Sequence, residues 1–397
     1  MFKDSPIKYF EGTHRIISPK ETITKYDSKE KIAGITRVSD ITDLDRVGIP
    51  VFSAIRPTSE EGSISVYSGK GITKDHAYAS AIMEGFERYS AEKQIQDNTV
   101  IGTINEVENP INLESLNLNK NINNLDKIKL EWTKSIDIIS ENEYSVPSNG
   151  IFHPYATNTA ETLFKSNTNG LASGNNLEES ILHGIFEVVE RDAWSIFELT
   201  KKNKKEINKE SIDSPLIKPL LDKFKNESID IKLLDITADI DIPTIAAISD
   251  DTLLKDPALL TLGVGTHLNP EIAIIRALTE VAQSRVTQIH GAREDTVRAD
   301  FMRKAGYERM KKINKHYFEE EKNVIDFSEI ENKSTPSVKE DIYTCKKELQ
   351  KQNIDKIIYT DLTRKELNVP VSRVIIPTLE LFSIDNTRLG KRFLNFG

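Results

Sequence analysis

Ser68-Gly69-Lys70-Gly71, with the stretch Ala79-Ser80-Ala81-Ile82-Met83-Glu84-Gly85-Phe86-Glu87-Arg88 behind it, decides how this chain folds, because the pattern returns twice. An offset of 103 residues puts Glu84 on Glu187, Glu87 on Glu190 and Arg88 on Arg191. It also puts Gly71 on Gly174 and Asp75 on Glu178. An offset of 196 puts Glu84 on Glu280, Glu87 on Gln283, Gly69 on Gly265, Asp75 on Glu271 and Ala77 on Ala273. Each copy is a glycine-containing loop, an acid in the first helical turn, then Glu-x-x-Glu or Glu-x-x-Gln. The acid suits the positive end of a helix dipole, and the glycines allow sharp turns or close backbone approach. The period is too long for a solenoid and reads as pseudo-symmetry within one large unit.

The chemistry follows from helical spacing. Residues three apart share a face, so Glu84 with Glu87, and Glu187 with Glu190, point the same way. Like charges on one face cost energy unless a cation compensates them. One such motif alone is more often a solvated face. Two of them sit among Ala79, Ala81, Ile82, Phe86 and Ile181, Leu182, Ile185, Phe186, each behind a glycine loop, which points inward. Two pairs together offer hard oxygen ligands suited to Mg²⁺. Arg88 and Arg191 could hold phosphate oxygens or orient a carboxylate, and Glu280 and Gln283 could add ligands from a third helix. Lys70 could reach a phosphate from its loop, although a Gly-Lys-Gly turn alone is weak. No P-loop and no Gly-x-Gly-x-x-Gly is present. His183 and His267 read as packed histidines, and neither belongs to a His-Glu-x-x-His pattern. Cys345 lies in a charged helix and is not expected to be catalytic.

Composition sets the frame. The 397 residues are 38% hydrophobic and 29% charged, as in globular proteins. No apolar run reaches the ~18–20 residues of a membrane helix, so no membrane partner is expected. The net charge of −9 argues against wrapping nucleic acid. A single cysteine excludes a disulfide framework, and with no signal-peptide pattern at the N-terminus the expected location is cytoplasmic. The chain reads as mixed α/β (α+β). Strands are predicted at Ile32–Val38, Ile49–Ile55, Ile229–Leu234, Thr244–Ile248, Leu259–Val264, Ile357–Thr360 and Val369–Ile376. Helices are predicted near 75–93, 178–202, 270–289, 294–322 and 338–353. The Asn- and Leu-rich segment 105–126 reads as a peripheral insertion.

These blocks resemble the YcaO family. The first motif is Ser68 to Glu92, the second runs from Asn169-Gly170-Leu171-Ala172-Ser173-Gly174 to Glu187-Val188-Val189-Glu190-Arg191-Asp192, and the third from Gly265-Thr266-His267 to Glu280-Val281-Ala282-Gln283-Ser284-Arg285. The resemblance spans about residues 50–380. It implies a YcaO-type fold: mixed sheets packed with helices, and pseudo-repeated loop–helix units around one nucleotide site. The layout expected is an N-terminal segment 1–60, a catalytic domain 61–380 and a tail 381–397. It further implies ATP and Mg²⁺ as cofactors, and activation of a peptide backbone amide by phosphorylation of its oxygen. A Cys, Ser or Thr side chain then gives an azoline, and external sulfide gives a thioamide. Carried over by position, Glu84, Glu87, Glu187 and Glu190 hold Mg²⁺, while Lys70, Ser80, Arg88, Arg191, Glu280, Gln283 and Arg285 contact the nucleotide.

Azoline-forming members commonly end in a proline-rich tail near the active site, whereas this chain has no proline after Pro377. The run Thr36-Arg37-Val38-Ser39-Asp40-Ile41-Thr42 to Arg56-Pro57 resembles stand-alone archaeal members. Those are associated with thioamidation of a glycine in methyl-coenzyme M reductase, often beside a TfuA-like sulfur-delivery partner. A homodimer is expected, as is common in the family. The competing expectations are an azoline cyclodehydratase, an accessory protein for ribosomal-protein methylthiolation and a non-enzymatic binding module.

Overall fold

The three copies fold alike in the computed structural model, which describes residues 2–119, 122–291 and 298–396. Each is a strand, a three-residue loop and a helix, and only these six elements are numbered below. They are β1 (Val66–Lys70) with α1 (Lys74–Ala91), β2 (Leu171–Ser173) with α2 (Leu177–Thr200), and β3 (Leu262–Thr266) with α3 (Pro270–His290). The N-caps fall at matching positions. Thr73 accepts from the His76 N–H, Asn176 from the Glu179 N–H and Asn269 from the Glu271 N–H. Each cap satisfies a donor that the first helical turn leaves unpaired. The glycines allow contact of strand with helix backbone. A Cβ on Gly69 would lie 2.1 Å from the Ala81 nitrogen, and one on Gly265 2.2 Å from the Ala273 oxygen.

Each repeated strand is the last strand of its own sheet. β1 closes a three-stranded antiparallel sheet with Arg37–Asp40 and Val51–Ile55. β2 ends a larger sheet, behind Thr99–Gly102, Leu130–Asp137, Ile358–Asp361 and Val371–Ile375, with Glu143–Pro147 paired to Leu130–Asp137. β3 ends a sheet that continues through Thr244–Asp251, Ile229–Asp235, Lys205–Asn208 and Val324–Asp326. The free edges are used: α1 packs on β2 as well as on β1, α2 on β3, and α3 on β1. The three units therefore close into a ring. Apolar positions on the helices fill separate cores, Ala81, Ile82 and Phe86 in one, Ile181, Ile185 and Val189 in a second, Ile274, Leu278 and Val281 in a third. At about 1.5–3 kcal/mol for each large apolar side chain buried, these cores anchor the ring.

The mixed α+β expectation holds, with differences in detail. The strand expected over Ile32–Val38 is a turn through Gly34, at φ +75°, followed by Arg37–Asp40. The helix expected near 294–322 is three helices, Arg298–Ala305, Tyr307–Ile313 and Lys315–Phe318, because Gly306 at φ +86° breaks the run. Residues 294–297 of that expectation lie outside the described residues. The segment 105–126, apart from residues 120 and 121 which also lie outside, is not merely peripheral: Ile111, Leu113 and Leu116 are buried in the first core. No helix among the described residues is long and apolar enough to cross a membrane.

Candidate active site

The ring encloses a cleft of about 620 Å³ whose walls are equivalent positions of the three helices. The first glutamates Glu84, Glu187 and Glu280 line it, as do Glu87, Glu190 and Gln283 one turn later. The position one turn earlier contributes Ser80, His183 and Arg276. Lys70, Arg88 and Arg191, also expected, line it as well. Arg276 was not anticipated, and the repeat could have found it, since it lies four residues before Glu280 as Ser80 lies before Glu84.

Each helix is held by the strand of the next unit. The Ser173 hydroxyl of β2 donates to the Met83 carbonyl of α1 at 3.2 Å, and the Thr266 N–H of β3 donates to Glu190 Oε2 at 3.1 Å. The ring closes differently at the third junction, where Gln283 Nε2 donates to the Ser68 carbonyl of β1. An amide can give that hydrogen bond and an ionised carboxylate cannot, which accounts for glutamine at this position.

Arg285 is the one expected contact that is not brought to the cleft. Its guanidinium is fully buried and donates to Asp45 at 2.7 and 3.1 Å and to Asp251 at 3.1 Å. The reason is helical geometry. Ser284 occupies the position equivalent to Arg88 and Arg191 and lines the cleft, and one residue further turns a side chain by about 100°. Arg285 thus ties α3 to the segment around Asp45.

The electrostatics of the cleft are those of crowded carboxylates among guanidiniums. Burial pushes Glu87 up to about 8, and Glu187 and Glu84 add to this against the pull of Arg88. Burial likewise lifts Glu190 to about 7, with Glu280 adding and Arg191 opposing. Glu187 is raised by burial, although Arg191, Arg88, Arg373 and Arg276 oppose it. Burial acts the same way on Glu280, but Lys70 at 2.9 Å and Arg191 outweigh it and hold this carboxyl low. Arg88 lies 3.1 Å from Glu84 and 3.6 Å from Glu87, and Arg191 lies 4.0 Å from Glu187.

The expected metal cage is therefore not preassembled. Among the described residues no three His, Cys, Asp or Glu side chains converge closely enough to hold a metal ion. The donor set nonetheless fits a polyphosphate with its cation. In the cleft wall, the buried N–H groups without hydrogen-bond partners are Nε and Nη1 of Arg88, Nε of Arg191 and Nε of Arg276. Unpaired buried donors of this kind are costly unless a ligand takes them up. Mg²⁺ commonly binds through one or two carboxylates plus substrate phosphates rather than in an all-protein cage.

The N-terminal hairpin, Lys8–Phe10 and Thr13–Arg15, covers the helix N-termini. Tyr9 donates to Glu271, His76 Nε2 lies 3.2 Å from the Phe10 carbonyl, and the Ile16 N–H donates to Glu179 at 2.9 Å. The hairpin brings Arg15 into the cleft wall beside Asn175 and Glu179 of the second unit, and nothing in the repeated motifs signals Arg15.

Comparison with known proteins matches this arrangement to one family. A family model described as YcaO cyclodehydratase, ATP- and Mg²⁺-binding, matches residues 68–380. An uncharacterized protein of Methanothermobacter thermautotrophicus is 51% identical over 379 residues, covering 95% of this chain and 97% of its own length. A Rhizobium leguminosarum bv. trifolii protein, named for its place in the tfuA 3′ region, is 30% identical over 404 residues, covering 96% and 92%. The structure of YcaO from Methanopyrus kandleri bound with AMPPCP and Mg²⁺ superposes with a TM-score of 0.81 at 26% identity, covering 97% of this chain and 98% of that one.

Proposed function

The chain belongs to the YcaO family, and from that premise we propose that it is an ATP- and Mg²⁺-dependent enzyme that replaces a backbone amide oxygen with sulfur. Its proposed substrate is a glycine of the methyl-coenzyme M reductase α subunit, and its product thioglycine. The observation that carries the enzymatic reading is the meeting, in one cleft, of two glutamate pairs, each with one buried member, and guanidinium N–H groups that have no hydrogen-bond partner. The sulfur reading is supported by the high identity to a methanogen protein. The described tail residues do not line the cleft: Arg392 is paired with Asp192 and Asp239, and Glu380 accepts from the backbone of Gly390 and Arg392. A TfuA-like protein is the proposed sulfur-delivery partner, in keeping with the name of the Rhizobium relative. The enzyme is proposed to act as a homodimer.

Bound Mg²⁺–ATP would supply the phosphoryl group that turns the amide oxygen into a leaving group. Glu84, Glu87, Glu187 and Glu190 would hold the cations, and Lys70, Arg88, Arg191 and Arg276 would take phosphate oxygens. Ser80 lies one turn before Glu84 and adds a hydroxyl. Gln283 fixes α3 against β1 and so sets the width of the cleft. Closure by the N-terminal hairpin excludes water that would otherwise hydrolyse the activated amide. Overall, amide, ATP and hydrosulfide give thioamide, ADP and hydrogen phosphate. The amide oxygen ends on phosphate with the sulfide proton.

The test is incubation with ATP, Mg²⁺, sulfide and a reductase-derived peptide. Mass spectrometry should show the oxygen-to-sulfur increase, with label from an ¹⁸O-amide passing to phosphate. Loss of the mass of water from a Cys- or Ser-containing peptide would instead identify azoline formation. Glu190→Gln should lower turnover about a hundredfold or more with the fold retained, and full activity would sink the metal-site assignment.

A further inference from the structure

Beside the main cleft lies a second, smaller chamber of about 50 Å³. It shares Gly12, Thr13, Arg15, Glu179, His183 and Arg276 with the cleft wall, so the two adjoin. Its inner wall is apolar, made by Leu182, Phe186, Ile272 and Val338. A chamber of this size holds one or two water-sized species and no nucleobase.

What its polar groups can do is fixed by their other hydrogen bonds. His267 Nδ1 accepts from the Asn269 N–H at 2.9 Å, so the ring carries its proton on Nε2. That ring is 5% exposed, and its Nε2 has no hydrogen-bond partner among the described residues. His183 Nδ1 faces Arg276 Nη1 at 3.4 Å, and a guanidinium can only donate, so His183 too presents Nε2–H. Arg276 Nε is buried and unpartnered. The chamber is thus lined by N–H donors that lack acceptors. Glu179 is the acid in its wall, and its oxygens are already taken by the N–H groups of Ile16 and Asn175 and by Arg15 at 3.5 Å. His14 stands at the same wall beside Asp341, with 3.7 Å between Nδ1 and Oδ2.

We propose that this chamber is a binding site for a small monovalent anion, and that in the sulfur-transfer reaction proposed above, on which this assignment rests, the anion is hydrosulfide. An apolar wall with several N–H donors suits a weakly hydrated, polarisable anion, and Arg276 and His183 stand in the wall that the chamber shares with the cleft. Burial, with Arg276 and other nearby cations, keeps both imidazoles neutral, so they serve as donors without competing for a counter-ion. Held here, sulfide is kept apart from bulk solvent until the amide is activated.

Two measurements test this. Crystals of the full-length protein soaked in bromide should show an anomalous peak within hydrogen-bond reach of His267 Nε2. In steady-state assays His267→Asn should raise the KM for sulfide about tenfold, as expected for one lost hydrogen bond to an anion, with the KM for ATP and for peptide unchanged. Bromide elsewhere but none in the chamber, or an unchanged sulfide KM in a folded variant, overturns the chamber as an anion site. Bromide in the chamber with no thioamide from the unsubstituted enzyme overturns the sulfide assignment and the sulfur-transfer reading together. If His267→Asn does not fold, the bromide result on the unsubstituted protein decides.

Discussion

Arg88 and Arg191 close the first two motifs, and Arg285 closes the third one position later; the two groups of side chains end in different worlds. The first two face the cleft beside the glutamates of their own motifs. The third is sealed between Asp45 and Asp251, where Arg46 also reaches Asp251 at 2.8 Å. One helical step, about 100°, separates a ligand-facing cation from a structural one. The comparison teaches that a motif read by residue type alone overlooks direction, and that an arginine next to a binding motif belongs to it only if it lies on the same face.

The comparison can be broken by exchanging the two roles. Arg285→Met should cost about 3–5 kcal/mol of folding free energy, because it leaves Asp45 buried without its guanidinium partner and Asp251 with Arg46 alone. Arg88→Met should act mainly on nucleotide binding, weakening it about tenfold. Denaturant unfolding and nucleotide titration on both variants separate the effects, and weakened binding in a folded Arg285→Met protein would contradict the assignment. A smaller effect is expected at the third junction of the ring. Gln283→Glu removes the donor to the Ser68 carbonyl and should cost about 1–3 kcal/mol, read as a shift in the denaturation midpoint without a change in slope.

The smallest effect sharpens the electrostatic side. Glu87 and Glu190 lie near 8 and 7 in the folded protein against an ordinary 4.5, so the native state binds their protons more tightly than the unfolded chain does. Their contribution to stability is fully present below about 4.5 and is lost as pH rises through 7 and 8. Metal-free protein should therefore lose stability across that window, and Glu87→Gln should lessen the loss. A pH dependence identical in the variant would show that Glu87 is ionised throughout. Mg²⁺ with nucleotide should release protons on binding in the same window.

Much of the site was legible because it is written on helices. Spacing of three and four places side chains on one face whatever the tertiary fold, and the glycine loops mark where each helix begins. Parts of the fold were not legible for an equally physical reason. In Leu130–Asp137 the alternation that identifies a strand is hidden, since Glu131, Thr133 and Ser135 are buried alongside Leu130 and Trp132. They are tolerated there because Glu131 meets Lys93, Thr99 and Tyr155, Thr133 meets Ser148, and Ser135 meets Thr360. Partners so distant in the chain leave no local trace. Arg15 reaches the cleft from a hairpin outside the repeat, with no periodicity to announce it.

By itself the sequence determined the three glycine-loop–helix units, the acid in the first turn of each helix, and the faces on which Glu84, Glu87, Glu187, Glu190, Glu280 and Gln283 lie. Those are properties of neighbours in the chain, set by backbone geometry over a few residues. Only the tertiary structure decided that each helix leans on the strand of the next unit, that Gln283 closes the ring by donating where Glu190 accepts, and that Arg285 turns away from the cleft. Those depend on which sheet edge stands opposite each helix, and that is fixed by packing among residues 76 to 240 positions apart in the chain.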